Sequence, residues 1–355
     1  MIITIRDEAN SEERAQLMAH ICRLTGNQRP ITTTLMSSGE VIALDSNVVD
    51  VEAHTLLTQQ SAVATIHSLK TPYQLASRIF QQSNTSVLIG DGHACTPVTI
   101  GGVNAMPIIM SGPCAVESKE QLLSTAHAVK KAGAQVLRGG AFKPRTSPYQ
   151  FQGLGIEGLK MLAEAREETG LPVITEVMEP GMVETVAHYA DVLQIGTRNA
   201  QNFPLLMAAG RNSYKRPVLL KRGLSATIEE WLLAAEYIIA AGNPNVILCE
   251  RGIRSYDPMT RNVLDLTCVP LLHQLTHLPI IVDPSHSTGR RELVPTMSRA
   301  AIAAEADGLI IETHLDPDTA LCDGKQSITP AQLTKIVYET QIIANMLKEE
   351  VESVA

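Results

Sequence analysis

Apolar and polar positions change their spacing along the chain and divide it into three stretches. Ile2 to Arg6 alternates like a strand. Ser11 then reads as an N-cap, with Arg14, Leu17 and Ile21 at helical spacing up to Gly26. Ile31–Met36 and Val41–Leu44 read as a hairpin about Ser38-Gly39, followed by a short helix over His54–Gln59 and a strand at Val63–His67. The order β-α-β-β-α-β is that of a small ferredoxin-like α+β domain, here residues 1–70. Residues 71–105 predict a connecting helix over Pro72–Phe80 and a second β-hairpin, whose strands at Ser86 and Pro97 flank Gly90-Asp91-Gly92.

From Met106 the pattern becomes short apolar strands alternating with amphipathic helices. The strands are Pro107–Met110, Gln135–Leu137, Pro172–Thr175, Val192–Ile195, Pro217–Leu220, Val246–Leu248, Pro279–Val282 and Gly308–Ile311. The helices between them include Lys119–Ala132, Ile156–Glu168, Thr227–Ala241 and Val294–Glu305. Eight β/α units over residues 106–355 predict a (β/α)8 TIM barrel. A doubly wound sheet also accommodates eight strands, but it gathers its ligand groups at one switch point. Here every strand is followed at once by polar residues, and a barrel brings all of these to its C-terminal face.

Composition narrows the function classes. Hydrophobic residues make up 45% and charged residues 19% of the 355, an ordinary balance for a globular enzyme. A net charge of −8 without a basic stripe argues against nucleic acid as a partner. No apolar run approaches the roughly 20 residues of a membrane helix, and the N-terminal charges from Arg6 onward do not suit a signal peptide. Cys22, Cys95, Cys114, Cys249, Cys268 and Cys322 are scattered without a CxxC pair. The expectation is a reduced, cytoplasmic protein with no membrane partner.

Two sets of strand-end residues carry chemistry. Cys114, His286, Glu312 and Asp323 follow strands one, seven and eight, which are neighbours where a barrel closes. A thiolate, an imidazole and two carboxylates accept several divalent metals and select none sharply. His314 is a weaker candidate on the same strand as Glu312, and Cys322 competes as a thiolate beside Asp323. Alone, Cys114 reads rather as a buried structural thiol and His286 as a satisfied hydrogen-bonding histidine; only together do they point to a metal. The second set is cationic: Arg138, Lys143, Arg198, Lys221 and Arg251, with Arg145 slightly outward. Cations converging at one mouth repel each other unless anions join them, and two phosphorylated substrates match their number better than one. The stretch Arg138–Gly155 links the sets. A solvated basic loop is the bland reading, but its glycines admit close backbone approach and Arg145-Thr146-Ser147 sets a guanidinium beside two hydroxyls.

The motifs GPCAVES, LRGGAFKPRTSPYQFQGLG, QIGTRNAQN, LLKRG, ILCERGIR, VDPSHSTGRR and DGKQS are long and ordered. In them the chain resembles the 3-deoxy-D-arabino-heptulosonate 7-phosphate (DAHP) synthases, in the short bacterial subfamily related to 3-deoxy-manno-octulosonate 8-phosphate (KDO8P) synthase. The likeness covers about Ser86 to Ala344. It implies a transferase of the shikimate pathway, the route to chorismate and the aromatic amino acids. Phosphoenolpyruvate would be held by Arg138, Lys143, Arg198, Lys221 and Arg251, with Asp283 also in the substrate site. Erythrose 4-phosphate would place its phosphate on Arg145 and Thr146. A divalent metal on Cys114, His286, Glu312 and Asp323 would polarise the aldehyde; manganese is expected, with iron, zinc, cobalt and copper as alternatives. Lys143, Lys221, Glu176 and His286 are the expected catalytic residues, with Lys221 or Glu176 managing the proton of the added water.

The rival within the resemblance is KDO8P synthase, which uses arabinose 5-phosphate and typically carries Lys-Ala-Asn-Arg where this chain has Lys143-Pro144-Arg145-Thr146. A non-catalytic, anion-binding barrel is the alternative from another class. Residues 1–70 resemble, in element order only, an extension that gates some DAHP synthases when tyrosine or phenylalanine binds; an assembly role is the competing reading. The resemblance also implies a homotetramer.

Overall fold

The computed structural model describes residues 1–26, 32–36, 39–44, 51–68, 71–145 and 147–354. The first stretch folds into β1 (Ile2–Ile5), α1 (Ser11–Leu24), β2 (Thr32–Met36), β3 (Gly39–Ala43), α2 (Val51–Thr58) and β4 (Val63–His67). Their sheet has the order β2-β3-β1-β4 and is antiparallel throughout, the ferredoxin-like arrangement. Period-2 alternation sorts β1 by face. Ile3 and Ile5 pack with Leu17 and Ile21 of α1 and Leu57 of α2, while Ile2 joins Val41 and Ala43 in the large core shared with the barrel helices. The cap of α1 differs from expectation: Asn10, not Ser11, accepts from the backbone of Glu12 and Glu13. Glu13 reaches back to the Asn10 N–H and completes a capping box. Ile31 and Ser38 of the expected hairpin lie outside the described residues.

The helix expected over Pro72–Phe80 is absent, and turns take its place. Its backbone donors go to neighbouring elements. Leu75 and Ala76 N–H donate to the Glu236 carboxylate at 2.8 and 2.9 Å, Arg78 N–H donates to Leu275 O at 2.8 Å, and Ser77 bridges Thr276. The apolar spacing of Tyr73, Leu75 and Ala76 marks a surface seated on the barrel rather than a helix stripe.

The hairpin β5 (Ser86–Ile89) and β6 (Val98–Gly101) forms as expected. Val87, Ile89 and Ile100 pack with the inward residues of the barrel. Thr85 and Thr96 donate to the carbonyls of His277 and Gly170, which lie just before two barrel strands. The hairpin therefore closes the N-terminal end of the barrel.

The barrel follows in chain order: β7 (Ile108–Gly112), α3 (Lys119–Lys131), β8 (Val136–Arg138), α4 (Ile156–Thr169), β9 (Val173–Glu176), α5 (Val183–Tyr189), β10 (Val192–Ile195) and α6 (Phe203–Arg211). It continues with β11 (Val218–Lys221), α7 (Ile228–Ala240), β12 (Val246–Glu250), α8 (Cys268–Leu275), β13 (Ile280–Val282), α9 (Pro284–Thr288), α10 (Val294–Ala303), β14 (Gly308–Glu312) and α11 (Pro330–Val354). The strands β7 to β14 are parallel and close on themselves through β14–β7. Strands expected to begin at Pro107, Pro172, Pro217 and Pro279 begin one residue later, since proline brings no N–H to the ladder. The carbonyls of the last three still accept, from Leu137, Leu193 and Leu248.

Alternation also decides what reaches the mouth. Val136, Ile174, Val192, Leu219, Cys249, Ile281 and Ile310 fill the barrel interior. Two residues on, on the same face, stand Arg138, Glu176, Gln194, Lys221, Arg251, Asp283 and Glu312. Their outward neighbours, among them Leu137, Leu193, Leu220, Leu248, Leu309 and Ile311, bury against the helices.

Candidate active site

Of the inward strand-end residues, Arg138, Glu176, Gln194, Lys221 and Arg251 line one cavity of about 240 Å³ at the C-terminal mouth. Among the described residues its wall carries seven cations: Arg138, Lys143, Arg145, Arg198, Lys221, Arg251 and Arg261. Glu176, His286 and Asp323 face the same space. Thr146, expected beside Arg145, lies outside the described residues.

The loop after β8 is tied back on itself. Lys143 N–H donates to Gln152 O and Gly155 N–H to Ala141 O, both at 2.9 Å. Arg145 Nε donates to Phe151 O at 3.0 Å and Arg198 Nη1 to Pro144 O at 3.3 Å, so the two arginines are anchored through the loop while the rest of each guanidinium faces the cavity. Two glycines admit close approaches. A Cβ on Gly140 would stand 2.7 Å from Lys143 Cδ, and one on Gly196 would stand 2.0 Å from Glu176 Oε1. Glu176 occupies the space a side chain at 196 would take, with Gln194 Nε2 3.4 Å from its Oε2.

At the floor, Arg138 Nη1 donates to Glu312 Oε1 at 2.6 Å, and His286 Nε2 lies 3.3 Å from the same oxygen. Asp283 does not line the cavity. Its buried carboxylate accepts from Lys221 Nζ at 2.5 Å, from His286 Nδ1 at 2.7 Å and from the His286 N–H at 2.9 Å, so it aims those two side chains. Burial alone would raise the Asp283 and Glu312 carboxyls. For Asp283, His286 and Lys221 overcome it; for Glu312, His286, Arg138 and Lys143 do, and both groups sit well below the usual carboxylate range. Burial lowers the His286 pKa against the pull of Asp283 and Glu312, which favours a neutral ring. Because Asp283 accepts at Nδ1, that nitrogen carries the proton and Nε2 presents a lone pair. Burial disfavours the charged forms of Arg138 and Lys143, yet nearby anionic groups more than offset it, and both are raised. Arg251 is the exception: burial lowers it, and its neighbour Arg261 adds to the effect. Among the described residues, Arg138 Nε and Arg251 Nη1 are buried without a hydrogen-bond partner.

The expected metal ligands fall into two adjacent groups that share Asp323. The ligand atoms of His286, Glu312 and Asp323 lie within 4.8 Å of one another, as do those of Cys114, Cys322 and Asp323. Cys114 Sγ is 2.9 Å from Cys322 Sγ, 3.3 Å from an Asp323 oxygen and 3.0 Å from Lys143 Nζ. Burial holds the Cys114 thiol well above its usual pKa in this state, with Lys143 opposing. A neutral imidazole with a free Nε2, two carboxylates and thiols beside a lysine form a donor set that fits a divalent metal. His314 stands apart from both groups: its Nδ1 accepts from the Asp316 N–H at 3.1 Å, and its Nε2 lies 3.9 Å from Glu117 Oε2.

Gln150, Gln194, Thr197 and Arg261 also line the cavity and are not among the expected residues. Gln194 had a signal, since it follows the inward Val192 by two. Arg261 had none, because it lies in the long segment between β12 and α8 where no period applies.

Fold and site together define a (β/α)8-barrel enzyme with a cationic, metal-capable mouth. The model of the DAHP synthetase I family matches residues 79–349. The chain belongs to that family, as an aldolase-type transferase. It is 52% identical over 276 residues to phospho-2-dehydro-3-deoxyheptonate aldolase of Thermotoga maritima, covering 78% of this chain and 79% of that protein. It is 36% identical over 254 residues to a 2-dehydro-3-deoxyphosphooctonate aldolase of Nitratidesulfovibrio vulgaris, covering 66% and 91%. The crystal structure of the Thermotoga maritima DAHP synthase superposes with a TM-score of 0.74 at 42% identity, covering 98% of this chain and 97% of that one. A truncated form of the Thermotoga enzyme covers 78% of this chain with a TM-score of 0.70.

Proposed function

We propose that the protein condenses phosphoenolpyruvate with erythrose 4-phosphate and water, releasing phosphate and DAHP, the first step of the shikimate pathway. The observation that carries this reading is the set of seven cations around one cavity, with buried guanidinium nitrogens at Arg138 and Arg251 left without partners. Such donors are stabilised by an anion that brings its own acceptors. Phosphoenolpyruvate occupies the inner part, on Arg138, Lys143, Arg198, Lys221 and Arg251. The sugar phosphate lies outward on Arg145 and Thr146.

The enol carbon C3 attacks the aldehyde carbon, water adds at C2, and phosphate departs with cleavage of its bond to C2. Lys221, held at 2.5 Å by Asp283, or Glu176, which faces the same space, manages the proton that the added water gives up and the aldehyde oxygen takes up. Glu176 also offsets positive charge developing at C2. Cys114, His286, Glu312 and Asp323 would hold a divalent metal, manganese first among candidates, which when bound supplies Lewis-acid polarisation of the aldehyde. Residues 1–70 form a regulatory domain responding to tyrosine or phenylalanine, and the protein works as a cytoplasmic homotetramer.

The KDO8P reading draws on the 36% identical relative. Against it, Pro144 stiffens the sugar-side loop, and its carbonyl is held by Arg198 at 3.3 Å. Steady-state phosphate release with phosphoenolpyruvate, manganese and either erythrose 4-phosphate or arabinose 5-phosphate tests the proposal. Turnover with the four-carbon sugar is expected. Preference for arabinose 5-phosphate transfers the reading to the rival, and no release with either sugar sinks both.

A further inference from the structure

The DGKQS motif contributes Asp323 to the candidate metal groups, but its glutamine has no place in the site described so far. Gln326 is buried in the segment between β14 and α11. Its Nε2 donates to Glu312 Oε2 at 2.5 Å, and its Oε1 accepts from Arg261 Nη1 at 3.0 Å. Its N–H donates to Asp323 O at 3.2 Å, closing the turn that carries Asp323. Arg261 is anchored in turn, its N–H donating to Thr288 O at 3.0 Å, while Asn262 Nδ2 donates to His286 O at 3.3 Å. Gln326 thus ties the segment that follows β12 to the end of β14, and Arg261-Asn262 ties that first segment to the one after β13.

We propose that Gln326 is a positioning residue for the metal carboxylate Glu312, with its amide orientation set by Arg261. This rests on the reading of Glu312 as a metal ligand. A guanidinium only donates and a carboxylate only accepts, so a glutamine between them satisfies both partners in one orientation alone. Arg261 takes Oε1, and Nε2 must then face Glu312. With Oε2 engaged by the amide, Oε1 is the oxygen presented toward Arg138 and His286 Nε2, the side where Glu312 meets the other candidate ligands. Outer partners of this kind fix a ligating carboxylate before a metal arrives, and losing one typically weakens metal affinity by about 10–100-fold.

The test is Co²⁺ affinity, read by competition with a chromophoric chelator, for the parent protein, Gln326→Glu and Arg261→Met. Gln326→Glu keeps shape and volume but replaces the donor facing Glu312 by an acceptor. Its dissociation constant is expected to rise by about tenfold or more, and the second buried carboxyl facing Glu312 lowers the melting temperature of the metal-free protein as well. Arg261→Met frees the amide to turn and is expected to weaken Co²⁺ binding by a smaller factor. Parent-strength binding by Gln326→Glu overturns the proposal. Should that variant not fold, Arg261→Met decides, and parent-strength binding there overturns it equally. A parent protein that binds no Co²⁺ sinks the metal reading itself, an outcome distinct from equal binding by parent and variant.

Discussion

Arg251 is a cation the folded chain does not fully compensate. It is buried, its Nη1 lacks a partner, and burial together with Arg261 lowers its pKa. Replacing an uncompensated buried charge by an apolar side chain of similar length is often neutral or stabilising. Arg251→Met is therefore expected to raise the melting temperature of the substrate-free protein by a few degrees, checked by calorimetry. On the proposed reading the same change removes charge-assisted bonds to the inner anion, each worth roughly 1.5–3 kcal/mol. Its kcat/KM for phosphoenolpyruvate should fall by about a hundredfold. A variant both less stable and fully active would contradict this account. At this scale, strand parity made much of the site legible in the sequence: Lys221 and Arg222 are adjacent cations, but Leu219 faces in, so Lys221 does too. Arg222 instead meets Glu250 at 3.0 Å and Asp265 at 2.9 Å outside the cavity. Gln326 was not legible, since its role depends on a partner, Arg261, 65 residues away and in a different loop.

Among elements, His277 joins three that are separate in sequence. Thr85 Oγ1 meets its Nδ1 at 2.6 Å, its Nε2 meets Leu75 O at 2.7 Å, and Arg78 lies near enough to oppose its charging. Since Leu75 O only accepts, Nε2 carries the proton and Nδ1 accepts from Thr85. Burial lowers its pKa from 6.5 to about 4. A histidine whose folded pKa lies below its unfolded one contributes stability that is present above pH 6.5 and is lost as pH falls from there toward 4. A shift of that size corresponds to on the order of 3 kcal/mol. Thermal melts between pH 7 and pH 4.5 should show a steeper fall for the parent than for His277→Gln, and parallel curves would refute the assignment. The linker that accepts this bond forms turns where spacing predicts a helix, because spacing reports which side chains are buried, not where backbone donors go. Asn10 and Glu13, by contrast, carried a legible capping pattern one residue from the expected cap.

For the whole molecule, the sheet of residues 1–70 and the barrel share one apolar core through Ile2, Val41, Ala43, Tyr73, Leu75 and Ala76. Removing residues 1–70 uncovers the last three, so the truncated chain should retain turnover but melt at a lower temperature. If the regulatory reading holds, it also loses inhibition by tyrosine or phenylalanine. Assay of parent and truncated protein with each amino acid checks this, and an uninhibited parent ends the regulatory reading. The ferredoxin-like order and the eightfold barrel were legible because each rests on alternation within short segments. How the two pack was not, because the apolar face of β1 that meets the barrel reads the same as the one that meets its own helices.

The hairpin that packs Val87, Ile89 and Ile100 beneath the inward residues leaves the barrel with its lower end shut. Among the described residues the reaction space is therefore a well open at the opposite end. On the proposed reading, the molecule seated on Arg138 and Arg251 enters before the one that rests on Arg145, and the outer guest then blocks exchange of what lies beneath it.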